Sequence, residues 1–135
     1  MRKILYLFLV IGLGACTEGY GVGLDSNVRG TYELESVNGR YLPYTLSDFN
    51  GVRETVYAGQ LRLESNGYFT ETLEVEVNDF GRISRYTDRY TGDYEVSSRG
   101  DVVLYYDDGG TVEGEYTNRT LRLYARNETI VYRRY

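Results

Sequence analysis

From Val28 to the end of the 135-residue chain the sequence keeps one rhythm, and that rhythm narrows the fold more than any other feature. Short segments alternate apolar and polar residues and are separated by Gly, Asn, Asp and Ser. Nowhere does a 3.6-residue period take over. Alternation of this kind marks antiparallel strands with one face in a core and the other in water, stacked as a sandwich or closed into a barrel. The first strand reads Gly30-Thr31-Tyr32-Glu33-Leu34-Glu35. Strands follow over 56–64 and 68–77, within 82–90, and then over 91–98, 101–106, 111–117, 120–125 and 129–134. Eight or nine strands result. The longest irregular connection is predicted between Asn38 and Glu54, with one short helical turn.

Period-two parity sorts the side chains. Tyr32 and Leu34 share a face, as do Leu61 and Leu63. In the next strand Phe69, Leu73, Val75 and Val77 point inward, and Glu71 points with them. A carboxylate there is expected at the rim of the core, because unpaired charge is costly to bury. Glu33, Glu35, Glu74, Glu76, Glu113 and Glu115 fall on the wet face. The pair Asn118-Arg119 is read as a two-residue turn, which sets Tyr116 opposite Leu121, Glu115 opposite Arg122 and Gly114 opposite Leu123. The chain carries 16 tyrosines. Tyr32, Tyr94 and Tyr116 lie at core parity and Tyr105 and Tyr124 on the other face. Inward positions are bulky, so a barrel would be mostly filled, with at most a shallow cavity at one end. Tyr32, Phe69, Glu71, Tyr94 and Tyr116 are the candidate lining of that lumen. Glu71 at its mouth would favour a polar or cationic head group and repel a fatty acid's carboxylate.

The start of the chain sets an expected address. Arg2 and Lys3 precede an apolar run from Ile4 to Leu13, too short to span a bilayer. It ends in Leu13-Gly14-Ala15-Cys16, which resembles the lipobox of bacterial lipoproteins, in which the cysteine receives a diacylglyceryl group. Residues 1–15 are thus read as a lipoprotein signal peptide, Cys16 as the lipid attachment site, 16–27 as a flexible tether and 28–135 as the domain. The expected location is the bacterial cell envelope, on the periplasmic face of the outer membrane in a Gram-negative host. Loss of the signal takes the formal net charge from −5 to −7 and leaves arginine as the only base. An acidic chain is a poor fit to nucleic acid and to anionic lipid.

Chemistry is mostly excluded by composition. There is no His, and Cys16 is the single Cys, so common zinc sets and Ser-His or Cys-His nucleophiles cannot be assembled, and no internal disulfide can form. No cofactor, metal or catalytic residue is assigned, and an enzyme is not expected. Asp107-Asp108-Gly109-Gly110 lacks the ligand spacing of a calcium loop and reads as a turn, as do the stretches around Asn118 and Asn127.

One resemblance adds to this. Gly30-x-Tyr32 with Ser36-Val37-Asn38-Gly39, Leu42-Pro43, Gly59-x-Leu61-x-Leu63, Asn66-Gly67-x-Phe69, Gly92-x-Tyr94 and Val131-Tyr132-Arg133-Arg134 resemble uncharacterised bacterial lipoproteins with a lipocalin-like domain. The resemblance implies an all-β, antiparallel up-and-down β-barrel of about eight strands. Tyr32 stands where lipocalins carry Trp, and this chain ends on a strand rather than a helix. The expected function is that of a membrane-anchored lipoprotein binding a small apolar ligand. The alternative is a protein-interaction or inhibitor lipoprotein that holds a basic partner against its acidic surface.

Overall fold

A computed structural model describes residues 27–135, and the described chain is all strand and turn. The strands are β1 (Gly30–Val37), β2 (Arg40–Tyr41), β3 (Tyr44–Phe49), β4 (Val52–Leu63), β5 (Tyr68–Asp79), β6 (Arg82–Val96), β7 (Asp101–Tyr106), β8 (Thr111–Thr117), β9 (Thr120–Ala125) and β10 (Glu128–Arg133). All pairings are antiparallel. β4 to β10 follow one another as neighbours, and β1 closes the ring by pairing β10 on one side and β4 on the other. The result is a closed eight-stranded barrel, with β2 and β3 as additions between β1 and β4. Closure removes the free edges that a sandwich of the same strands would keep.

Two expectations are corrected. The stretch 38–54 is not irregular and has no helical turn: Asn38-Gly39 and Asn50-Gly51 are tight turns with positive φ at both residues (52° and 75°, 51° and 79°), and they bracket β2 and β3. Asn and Gly tolerate that conformation, so the two pairs are hairpin signals. Second, residues 82–90 and 91–98 do not form two strands. β6 runs unbroken for 15 residues, and Gly92 lies inside it because a Cβ there would come within 1.9 Å of the Tyr105 carbonyl oxygen on β7. Its role is close backbone approach, not a turn.

The register of the β8–β9 hairpin is the expected one, with Tyr116 facing Leu121, Glu115 facing Arg122 and Gly114 facing Leu123. Asn118 and Arg119 both take positive φ, and Glu115 and Arg122 meet at 3.5 Å in the open. Inward positions build one core that includes Tyr32, Leu61, Phe69, Leu73, Leu104, Leu121, Leu123, Ile130 and Tyr132, all essentially sealed from solvent.

The two ends of the barrel differ. At the floor lie the β4–β5, β6–β7 and β8–β9 turns together with both ends of the domain. At the other end β3, the first half of β4, the last part of β5 and the first half of β6 continue as a four-stranded lobe, beyond where β1 and β7 pair. Bulges at Thr45/Ser47 and Val56/Ala58 bend this sheet. Its inner residues Val56, Val75, Val77 and Glu54 are buried, and its Tyr44, Leu46 and Tyr86 pack against the hydrophobic core.

Candidate functional site

The lumen is where a lipocalin-like barrel would work, and here side chains occupy it. Parity sends Phe69 and Glu71 of β5, Tyr106 of β7 and Tyr132 of β10 to the centre. Phe69 and Tyr106 meet edge to face with centroids 5.0 Å apart, and Tyr90 meets Tyr106 likewise at 6.1 Å. Between these rings Glu71 is wholly buried. This corrects its expected rim position: the carboxyl lies at the centre because two phenols satisfy it. Tyr106 donates to Oε2 at 2.8 Å and Tyr132 to Oε1 at 2.5 Å. Burial pushes the Glu71 carboxyl above its ordinary range, and the two hydrogen bonds oppose that rise. Burial and then the facing carboxylate push Tyr106 and Tyr132 well above the usual phenol value.

The other expected lumen residues are brought together at the floor, away from Glu71. Tyr32 donates to the Val28 carbonyl and packs edge to face on Tyr116 at 6.3 Å. Tyr94 donates to the Glu64 carbonyl at 2.5 Å, and Tyr116 to that of Asn27 at 3.1 Å. The Arg134 guanidinium donates to the Tyr116 hydroxyl at 3.2 Å and lies over the Tyr32 ring. All three hydroxyls donate to backbone carbonyls. Tyr32, Tyr94 and Tyr116 therefore form a plug, and only Phe69 and Glu71 of the expected lining reach the middle of the barrel. Cys16 and the expected signal peptide, with the tether as far as residue 26, lie outside the described residues.

The grooves lie on the outside. One of about 670 Å³ runs over the outer face of β1, β10, β9 and β8, past the Glu35–Arg133 and Glu115–Arg122 pairs; another of about 440 Å³ follows the β4 bulge beside Tyr57 and Gly59. Next to the first groove, adjacent strands carry Asp93 and Glu95 (β6), Asp101 (β7), and Glu113 and Glu115 (β8), all exposed; Asp101 faces Glu115, and Glu95 and Glu113 flank Val103 of β7. Tyr105 and Tyr124 donate to Glu95 and Glu115 at 3.1 and 3.0 Å and fix their carboxylates in place.

Residues missed from the sequence lie on β4 and β6. Glu54 is 4% exposed, and its Oε2, the Asp88 Oδ2 and the Tyr90 hydroxyl are buried with no hydrogen-bond partner. Burial raises the pKa of Glu54 and of Asp88, and Tyr86 beside them is pushed up to about 12 by burial and then by both carboxylates. Alternation with Val52 and Val56 would have revealed the inward parity of Glu54, had residues 38–54 been read as strand. Asp107, at the start of the expected Asp107–Gly110 turn, accepts from Tyr68 at 3.1 Å and Thr91 at 2.5 Å, and among the described residues no group of acids is arranged to hold a metal ion. Comparison with protein families, curated proteins and solved structures finds no match.

Proposed function

We propose that this is a lipid-anchored envelope protein of the lipocalin-like kind that works through its outer surface, holding a basic protein partner, and not as a carrier of a small apolar ligand. The observation that carries this reading is the five exposed carboxylates that β6, β7 and β8 present on the outer face of the barrel. Opposite charges across an interface speed encounter and select partners, most strongly at low salt. Side chains at the barrel's centre leave the lumen reading little support: Glu71, Tyr106 and Tyr132 satisfy one another there.

A photo-crosslinking residue at Glu113 in the full chain, expressed in its host, tests the partner. The expected result is a salt-sensitive adduct with a basic protein, weakened when Glu95 and Glu115 are changed to Lys, and absent when the same probe stands at Arg53 on the lobe. Adducts that ignore salt and charge reversal overturn the reading. The anchor is tested separately: Cys16→Ser should leave an unprocessed precursor, and a mature N-terminus other than a lipid-bearing Cys16 in the intact mass refutes lipidation.

A further inference from the structure

The wall of the barrel has a seam where one ladder stops. β4 pairs with β3 as far as Val56 and with β1 from Gln60 onward, so Tyr57, Ala58 and Gly59 have no strand opposite them on that side. β1 in turn leaves β4 after Glu33 and takes β2 as its neighbour at Ser36. The outer groove of about 440 Å³ lies in this parting, against Leu34 and Leu42. Its size falls within the roughly 300–1,000 Å³ of small-molecule sites. Tyr57 is the extra residue of the β4 bulge, and bulges re-aim side chains. Here the bulge turns out a ring that the neighbouring strands then fix. The Tyr57 hydroxyl donates to Glu76 at 3.4 Å, the Arg85 guanidinium lies 5.5 Å from the ring centre, and Arg85 donates to Glu76 at 2.9 Å. Arg85 and Glu76 line a separate hollow of about 180 Å³ that shares Tyr57 with the groove. The ring is thus a wall between the two, braced from the smaller side.

On the larger side the polar side chains are uncommitted. Glu33, Gln60 and Thr72 stand in one row across β1, β4 and β5, and Glu74 lies opposite Ala58 in the next. Among the described residues these four side chains make no hydrogen bond or ion pair, and Arg133, which faces Glu33, is held by Glu35 at 3.3 Å. An anion would be repelled, because Glu33 and Glu74 are the charges in the lining. A cation would share the Tyr57 ring with Arg85, whose charge already draws on its negative face. A purely apolar molecule would strip water from two carboxylates and return nothing. What fits is neutral, with hydroxyls that donate to the carboxylates and trade bonds with Gln60 and Thr72, and with a face of C–H groups for the ring. A sugar ring has both. We propose that the seam between β1 and β4 is a binding site for a neutral saccharide, one pyranose ring stacked on Tyr57 with its hydroxyls on Glu33, Gln60 and Glu74. The site is separate from the five carboxylates of β6, β7 and β8.

The test is an array of neutral and acidic oligosaccharides probed with the full chain in a polyoxyethylene detergent, which carries no sugar, followed by amide NMR titration with the strongest neutral binder. Neutral glycans should bind and acidic ones should not. The shifts should saturate and centre on residues 33, 57, 60 and 74. Tyr57→Ala should weaken affinity roughly tenfold through loss of the stacking face, and Glu74→Gln about threefold through loss of a charged acceptor. Tyr57→Phe keeps the ring and should retain most of the affinity. Tyr41→Ala removes an exposed ring from the other outer groove and should change nothing. Tyr57 is 44% exposed, so its Ala variant should melt with the parent, and that measurement shows that lost binding is not lost folding. No neutral glycan bound by the folded parent, equal binding of acidic glycans, or unchanged affinity in Tyr57→Ala overturns the proposal.

Discussion

Glu71 shows how one side chain can be both a fault and a keystone. An ionised carboxyl at the centre of a barrel is costly unless paired and hydrogen-bonded, and here two phenols make it tolerable while it in turn satisfies them. Glu71→Leu would leave two buried hydroxyls without an acceptor, at about 1–3 kcal/mol each, and urea denaturation should show a large loss. Glu71→Gln keeps one acceptor and adds a donor that one phenol can accept, so it should cost far less at neutral pH. The pH dependence has a definite sign. Because the folded state raises the Glu71 pKa above its ordinary 4.5, its contribution is full below that value and declines as pH rises through the raised one. The Gln variant should lose that part of the slope. An identical pH profile in parent and Gln variant would mean that Glu71 does not titrate in the folded chain.

At the scale of elements, the hairpins were the legible part. Asn66-Gly67 and Asn118-Arg119 were recognisable as turns, and the second fixed its register, because positive φ suits Asn and a slip of one residue would turn Leu121 and Leu123 outward. The β5–β6 hairpin was less legible, since its turn is built against preference. Phe80 takes φ 48° at the first turn position, ahead of Gly81 at 89°, with its ring laid on Gly51 and 80% exposed. A bulky residue in the left-handed region costs on the order of 1 kcal/mol. Phe80→Asn should relieve most of that and raise the melting temperature by a few degrees; a lower melting temperature would show that the ring's contact with Gly51 outweighs the strain. Burial of Glu54 was hidden for a related reason. Glu54 stood in a stretch rich in turn residues, and parity has meaning only once a segment is known to be a strand. Burial of Glu71 was hidden differently, because its partners lie 35 and 61 residues away and no local pattern points to them.

On the scale of the whole molecule, alternation without a helical period was enough to give an all-β fold over the described residues, and what it left open was closure. That depends on β1 meeting two strands distant in sequence: Gly30 to Glu33 pair with Leu63 to Gln60, and Glu33 to Val37 with Arg133 to Ile130. Deletion of residues 127–135 should therefore do more than remove one strand. It opens the ring, exposes β1 and β9 as edges and takes Tyr132 from Glu71, and circular dichroism should show no cooperative melt; a sharp transition in this truncation would mean that closure is dispensable. The same arrangement governs how the domain bears force. Residue 27 and Tyr135 leave by the same end, on neighbouring antiparallel strands, so a pull between them unzips β1 from β10 one pair at a time. A pull on residue 27 against a load held elsewhere on the barrel draws β1 along its own axis. The ladders to β4 and to β10 must then shear together. The fold is soft to tension between its own ends and stiff to a tug transmitted through its leading end.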